Sequence, residues 1–238
     1  LRSLQRAGYL ARAGDARAAQ DILGELLAGV RGDMRARVLE LQARVAFDST
    51  AGEVALLPLC EEALALAGDP ALRARIHATR GAIGSYVDLD QATADAERAL
   101  GLLDEAASPD PAVYVTAVMV LSGCRFERGE ALPDDLIERA LEIERQQPNP
   151  DVGDRLGPAL GSFLKYSGRL AEARTRLLDG YQAALDEGDD GSLPYAVSHL
   201  PQVELWAGRT DEAERWAREH LALAEHTGQA GQRISALY

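Results

Sequence analysis

Lysine is almost missing from this chain. Lys165 is the only one, so arginine supplies nearly all of the 25 positive charges in 238 residues. Aromatic residues are scarce as well, 5% against 47% hydrophobic residues, which leaves Ala and Leu, both strong helix formers, to carry the apolar content. Alternating β-branched runs do not extend beyond a few residues, which excludes a sheet; the nearest approach, Tyr114 to Leu121, has helical flanks. Positive charge is in deficit, with a net charge of −13, and no local basic stripe offsets it. Such a surface repels phosphate backbones and argues against direct nucleic-acid binding by this segment. The two cysteines, Cys60 and Cys124, lie far apart inside apolar helical patterns, where free Cys acts as a small core hydrophobe, as suits a reducing cytoplasm. No run of about 18 uninterrupted apolar residues occurs, and the first thirty residues lack a basic, apolar and small-residue succession, so neither a membrane span nor a signal peptide is expected. The chain opens and closes inside helical patterns, at Leu1 and at Gln232 to Tyr238, and is expected to be part of a longer protein.

What is present is repetition. Ser167-Gly168-Arg169-Leu170-Ala171-Glu172-Ala173 aligns with Ala207-Gly208-Arg209-Thr210-Asp211-Glu212-Ala213, each a turn glycine followed five residues later by alanine. Gly14 with Ala19 fits the same frame, as does Val87 to Ala92 without the glycine. A second landmark recurs as Glu62-Ala63-Leu64, Arg98-Ala99-Leu100 and Arg139-Ala140-Leu141, which fixes further turns near Ala51 and Arg128. Turns at 14, 51, 87, 128, 168 and 208 are separated by 37, 36, 41, 40 and 40 residues, room for two helices and two short connections each. The glycine supplies a left-handed helix end, and the alanine lets two backbones approach. Gly68-Asp69-Pro70, Ser108-Pro109-Asp110-Pro111 and Asn149-Pro150-Asp151 stop one repeat and start the next. First helices are expected over 71–87, 112–128, 152–167 and 193–207, and second helices over 16–30, 54–67, 90–106, 134–147, 170–187 and 210–227. The fold expected is all-α, a right-handed superhelical solenoid of about six tetratricopeptide-like helix pairs forming one continuous domain over 1–238.

The run Val203-Glu204-Leu205-Trp206-Ala207-Gly208-Arg209-Thr210-Asp211-Glu212-Ala213-Glu214, continuing to Leu221-Ala222-Leu223-Ala224-Glu225-His226-Thr227-Gly228-Gln229, resembles the helical-repeat region of large ATP-binding LuxR-type (MalT-like) transcriptional regulators. The resemblance covers essentially the whole chain but is sharp only in the last two repeats. It implies a sensor and scaffold segment that lies between an ATPase module and a DNA-binding domain and binds an effector, a partner protein or a neighbouring domain. The alternative is a free-standing tetratricopeptide scaffold that clamps peptide segments. A third reading, an enzyme with a hidden pocket, needs a cluster of perturbed ionisable groups that the sequence does not advertise.

Catalytic and cofactor motifs give no signal. The sole lysine follows Phe163-Leu164 in a helical pattern, which excludes a phosphate loop. No Gly-x-Ser-x-Gly elbow occurs, and neither cysteine has an acid/base partner near it in sequence. His220 and His226 are six apart, off the three-or-four spacing of helical metal ligands, so that cluster reads as a solvated face; His77 and His199 read as lone structural or surface histidines. Asp134-Asp135 and Asp189-Asp190 read as helix-start and loop residues. No catalytic residue, cofactor or metal is therefore assigned.

The expected binding face lies on the first helices. Aligning them on the small-residue position that the family resemblance implies, at Gly81, Gly123, Gly161 and Pro201, gives by helical spacing an inward row of Arg75, Ser85, Tyr86, Cys124, Glu127, Arg155, Ser162, Lys165, Tyr166, Tyr195, Ser198, Gln202 and Trp206. Arg155, Lys165, Tyr166, Tyr195 and Trp206 would offer an acidic peptide or a polar small molecule both aromatic and cationic contacts. The bland reading, that the rings fill the space between repeats, stands beside it. Trp216, on a second helix, is expected to pack against its repeat partner. Pro201 and the group Gly153, Gly157, Pro158 and Gly161 weaken two neighbouring first helices, since an interior proline costs about 3 kcal/mol, and a kink is expected in each.

Overall fold

The computed structural model describes residues 2–13, 15–49, 53–106, 110–149 and 151–237. All regular structure among them is helical, which bears out the expected all-α repeat fold. Gly14, Ala51, Ser108-Pro109 and Pro150, which carried parts of the repeat argument, lie outside the described residues.

Contacts divide the chain into two compact units, Leu1–Gln147 and Pro148–Tyr238. In the first unit α1 (Arg2–Arg12), α3 (Gly32–Ser49), α5 (Pro70–Gly84) and α7 (Pro111–Glu127) are first helices, each followed by its second helix: α2 (Ala16–Leu27), α4 (Glu53–Leu66), α6 (Leu89–Asp104) and α8 (Asp134–Gln146). Each helix packs on the next, and first helices also touch the first helices beside them. The core follows this order. Ala7, Ala19, Leu23, Val38, Leu41 and Val45 join α1, α2 and α3, while Leu39, Cys60, Ala63, Leu72 and Ile76 join α3, α4 and α5. No helix pair closes its own apolar face; its neighbour does. Helix starts are written in the sequence: Asp69, Asp88 and Asp110 accept backbone N–H bonds from the first turns of α5, α6 and α7, with proline as the first residue of α5 and α7.

First and second helices of this unit are tied by charge. Arg35 on α3 reaches Glu62 on α4 at 2.8 Å, and Arg80 on α5 makes a two-point contact with Asp95 on α6 at 2.7 and 2.8 Å. Asp95, 1% exposed, also bonds His77 Nδ1 at 2.7 Å. Burial opposes its ionisation, but the bonds from His77 and Arg80 outweigh that and hold its carboxyl below the usual range.

In the second unit a single 3-10 turn, Val152–Asp154, precedes α9 (Leu156–Tyr166), which packs on α10 (Leu170–Glu187). The next first helix is split into α11 (Leu193–Val197) and α12 (Leu200–Trp206), followed by α13 (Thr210–His226) and α14 (Ala230–Ala236). Both expected kinks are present. Arg155, with φ −81° and ψ 149°, interrupts the first between the 3-10 turn and α9; Ser198-His199 separates α11 from α12 in the second. Pro201 explains the second break: lacking an N–H, it is accommodated in a first turn, so the helix restarts just before it. The expected left-handed turns hold too, with Gly168 at φ +77° after α9 and Gly208 at φ +76° after α12.

Close approach sets the α9–α10 interface. A Cβ added at Gly161 would lie 2.7 Å from Leu177 Cγ and 3.4 Å from the Ala173 carbonyl oxygen. Trp216 is buried, as expected, with Ala173, Leu177, Val197, Leu200 and Val203, its ring 5.4 Å from that of Tyr181. His220 is a correction. It is 2% exposed, and its Nε2 lies 3.0 Å from Gln232 Oε1 on α14, so the fold covers it with a helix that the spacing argument left out; Glu225 and His226 beside it are exposed as expected. None of the described helices is long and apolar enough to cross a membrane.

Ala173→Leu is expected to overpack the α9–α10 contact and lower stability by about 1–3 kcal/mol, read as a reduced denaturant midpoint. An unchanged midpoint would show that the small residue is not required there.

Candidate functional site

The thirteen residues of the inward row separate into those whose polar atoms are used within the fold and those left together at one place. Arg75 pairs with Asp110, the cap of α7. The Ser85, Ser162 and Ser198 hydroxyls donate to the carbonyls of Ala82, Ala159 and Tyr195, three residues back in each case. Arg155 makes a two-point pair with Glu187 at 2.8 and 2.6 Å and bonds the Asn149 carbonyl. Cys124 is buried, and Glu127 and Tyr86 are exposed, Tyr86 with its ring 5.8 Å from Phe47.

In the second unit Lys165, Tyr166, Gln202 and Trp206 come together, and His199 joins them. Lys165 is the penultimate residue of α9 and is fully buried. Its Nζ donates to His199 Nδ1 at 2.9 Å and to Gln202 Oε1, and lies 4.1 Å from the centre of the Tyr166 ring and 5.5 Å from that of Trp206. The two rings meet edge to face at 5.8 Å and are 54% and 50% exposed, so one side of the pair covers the ammonium and the other meets solvent. Gln202 is also exposed. Tyr195 stands behind, its ring 6.4 Å from the His199 imidazole.

Local sequence explains each placement. Gly168 ends α9 and turns the Arg169 N–H back to the Leu164 carbonyl, leaving Lys165 in the last turn, where the carbonyl end of the helix favours a cation. The break before Pro201 places His199 at the start of α12, with its Nδ1 toward α9. Glu204 holds α12 from the other side. It is 0% exposed and takes the Arg174 guanidinium of α10 at 2.6 Å and that of Arg209 just beyond α12. Among the described residues no carboxylate lies within ion-pair distance of Lys165, whereas Arg155, Arg169, Arg174, Arg209, Arg215 and Arg218 of the same unit all meet one.

Burial without a counter-charge lowers the Lys165 ammonium to about 8. Burial, then the Lys165 charge, then His220 push His199 down to about 4, so at neutral pH its imidazole is neutral and its Nδ1 is free to accept from the lysine. The site is a cation held by neutral acceptors beneath an aromatic pair. His199 is the member that sequence reasoning missed, although it sits three residues before Gln202 and so shares its helical face.

No family model matches the chain, and no curated protein matches it. A solved structure does: the chain is similar to the crystal structure of a Rap protein complexed with competence and sporulation factor, at 14% identity and a TM-score of 0.70, over 98% of this chain and 67% of that one. The likeness is one of fold. It supports the helical-repeat assignment.

The pH dependence follows from the lysine. Between about 8 and 10.5 the unfolded chain keeps a proton that the folded one has released, so stability rises with pH across that window; below about 8 the burial penalty acts in full. Lys165→Met is expected to raise the melting temperature at pH 7, with the gap to wild type closing as pH passes 10. Thermal melts of both proteins from pH 7 to 10.5 check this, and a gap that does not change with pH would contradict it.

Proposed function

We propose that this chain is a non-catalytic binding domain that holds a peptide segment of a partner protein against the first helices of the 148–238 unit. The observation that carries this is the half-exposed Tyr166–Trp206 pair, locked over a buried cation beside exposed Gln202 in a chain so poor in aromatics. Rigid aromatic rings with a polar rim are what binding hot spots are made of. The fold likeness lends support, since the Rap protein it matches is complexed with competence and sporulation factor. The polar groups at the site suit recognition better than bond-making: the imidazole is occupied by the lysine, and both cysteines are buried, with burial pushing the Cys60 thiol up to about 12.

The domain acts in the cytoplasm as the sensor and scaffold part of a LuxR-type transcriptional regulator, and peptide or protein binding at this face is its input. Support for this finer reading is the resemblance of 203–229, the stretch that forms α12, the Gly208 turn and α13. A parent polypeptide with a phosphate loop before this segment and a helix-turn-helix after it is expected.

Selection of a displayed random heptapeptide library on the immobilised protein tests the binding reading. Enriched peptides are expected to bind Trp206→Ala and Tyr166→Ala roughly tenfold or more weakly than wild type, as aromatic hot spots do, with the circular dichroism of both variants unchanged. Enriched peptides that bind both variants as tightly as wild type would place binding elsewhere.

A further inference from the structure

We infer that Lys165 is the recognition point for a carboxylate of the bound peptide, so that the partner segment is acidic at the residue that takes the place of the Gln202 amide beside the Tyr166–Trp206 pair. The inference rests on the peptide-binding reading above and deepens it.

An internal comparison shows that the lysine is not needed for the aromatic pair. In the first unit Phe47, near the end of α3, and Tyr86, just beyond α5, form a ring pair with the same centre-to-centre distance of 5.8 Å. Tyr166 belongs to the earlier of its two first helices, as Phe47 does, and where Lys165 precedes Tyr166 the residue before Phe47 is Ala46. Among the described residues, ring packing at the ends of first helices therefore forms without a cation against it. In the second unit a full positive charge has been added beneath it and buried at a cost in solvation.

The surroundings say what that charge can receive. Its acceptors, His199 Nδ1 and Gln202 Oε1, are both neutral. Gln202 is exposed, so its side chain can swing outward and leave its place to an incoming oxygen. A carboxylate in that place would keep the hydrogen-bond count and turn a neutral contact into a charge-assisted one. Nothing on the same helices repels it. α9, α11 and α12 contain a single carboxylate, Glu204, which is buried and held by Arg174 and Arg209, while α10 and α13 carry nine acidic residues between them. An anionic segment thus meets less acidic charge along these helices than along α10 and α13. The exposed side of the Tyr166–Trp206 pair lies next to that place and would hold the aliphatic part of an Asp or Glu side chain, or the last residue of a chain end.

The heptapeptide selection is run in parallel on wild type, Lys165→Met and Lys165→Arg, once with free and once with amidated peptide C-termini. Wild type is expected to enrich Asp or Glu at one fixed position, or free C-termini over amidated ones; the first outcome assigns a side-chain carboxylate and the second a terminal one. Lys165→Met is expected to lose that preference and to bind the acidic winners roughly 10- to 100-fold more weakly, while Lys165→Arg keeps the preference. Peptides that bind through Trp206 with no acidic or terminal preference would overturn this inference and leave the binding reading standing. A selection that enriches nothing on wild type would overturn both.

Discussion

Nearest-neighbour burial governs this molecule. An α-helical pair with an Ala- and Leu-rich face cannot remove that face from water alone, so within each unit neighbouring pairs complete each other's cores: α1 to α3 and α3 to α5 in the first unit, α10 to α13 in the second. Arg35–Glu62 and Arg80–Asp95 tie the two helices within a pair by charge. A fold organised this way leaves part of the surface of its first helices free of core duty. Side chains there can be spent on something other than stability, and the Lys165 site is where they are.

That site shows a trade between stability and use. Lysine in a fully buried position without a counter-ion is an expensive choice, and arginine, which this chain uses nearly everywhere else, would present a larger and more weakly hydrated cation. A lysine offers one compact charge that fits under two rings and bonds the two acceptors supplied by α12. The proline break makes those acceptors available. A feature that weakens the helix thereby becomes the means of placing His199.

Much of this was legible in the sequence for physical reasons that can be named. Gly168 and Gly208 announced the turns because a left-handed helix end favours glycine, and Pro201 announced the kink because a missing N–H has few tolerable positions. Lys165, Tyr166, Gln202 and Trp206 were placed on one face by helical spacing from the small-residue position that the family resemblance implies. Spacing failed where a property depends on another helix. Ser162 and Ser198 face inward but spend their hydroxyls on local carbonyls, Arg155 is claimed by Glu187 on α10, and His220 is covered by α14. His199 escaped notice because its partner is one repeat away in the chain and adjacent only in space.

The uneven distribution of tryptophan carries a practical consequence. Both tryptophans, Trp206 half in solvent and Trp216 in the core, belong to the unit from Pro148 onward, and the unit before it has none. Indole fluorescence therefore watches only one half of the polypeptide, whereas far-ultraviolet dichroism watches the helices of both. Overlaying the two signals during denaturation reveals whether the halves melt as one cooperative body or in succession, with no label or substitution introduced.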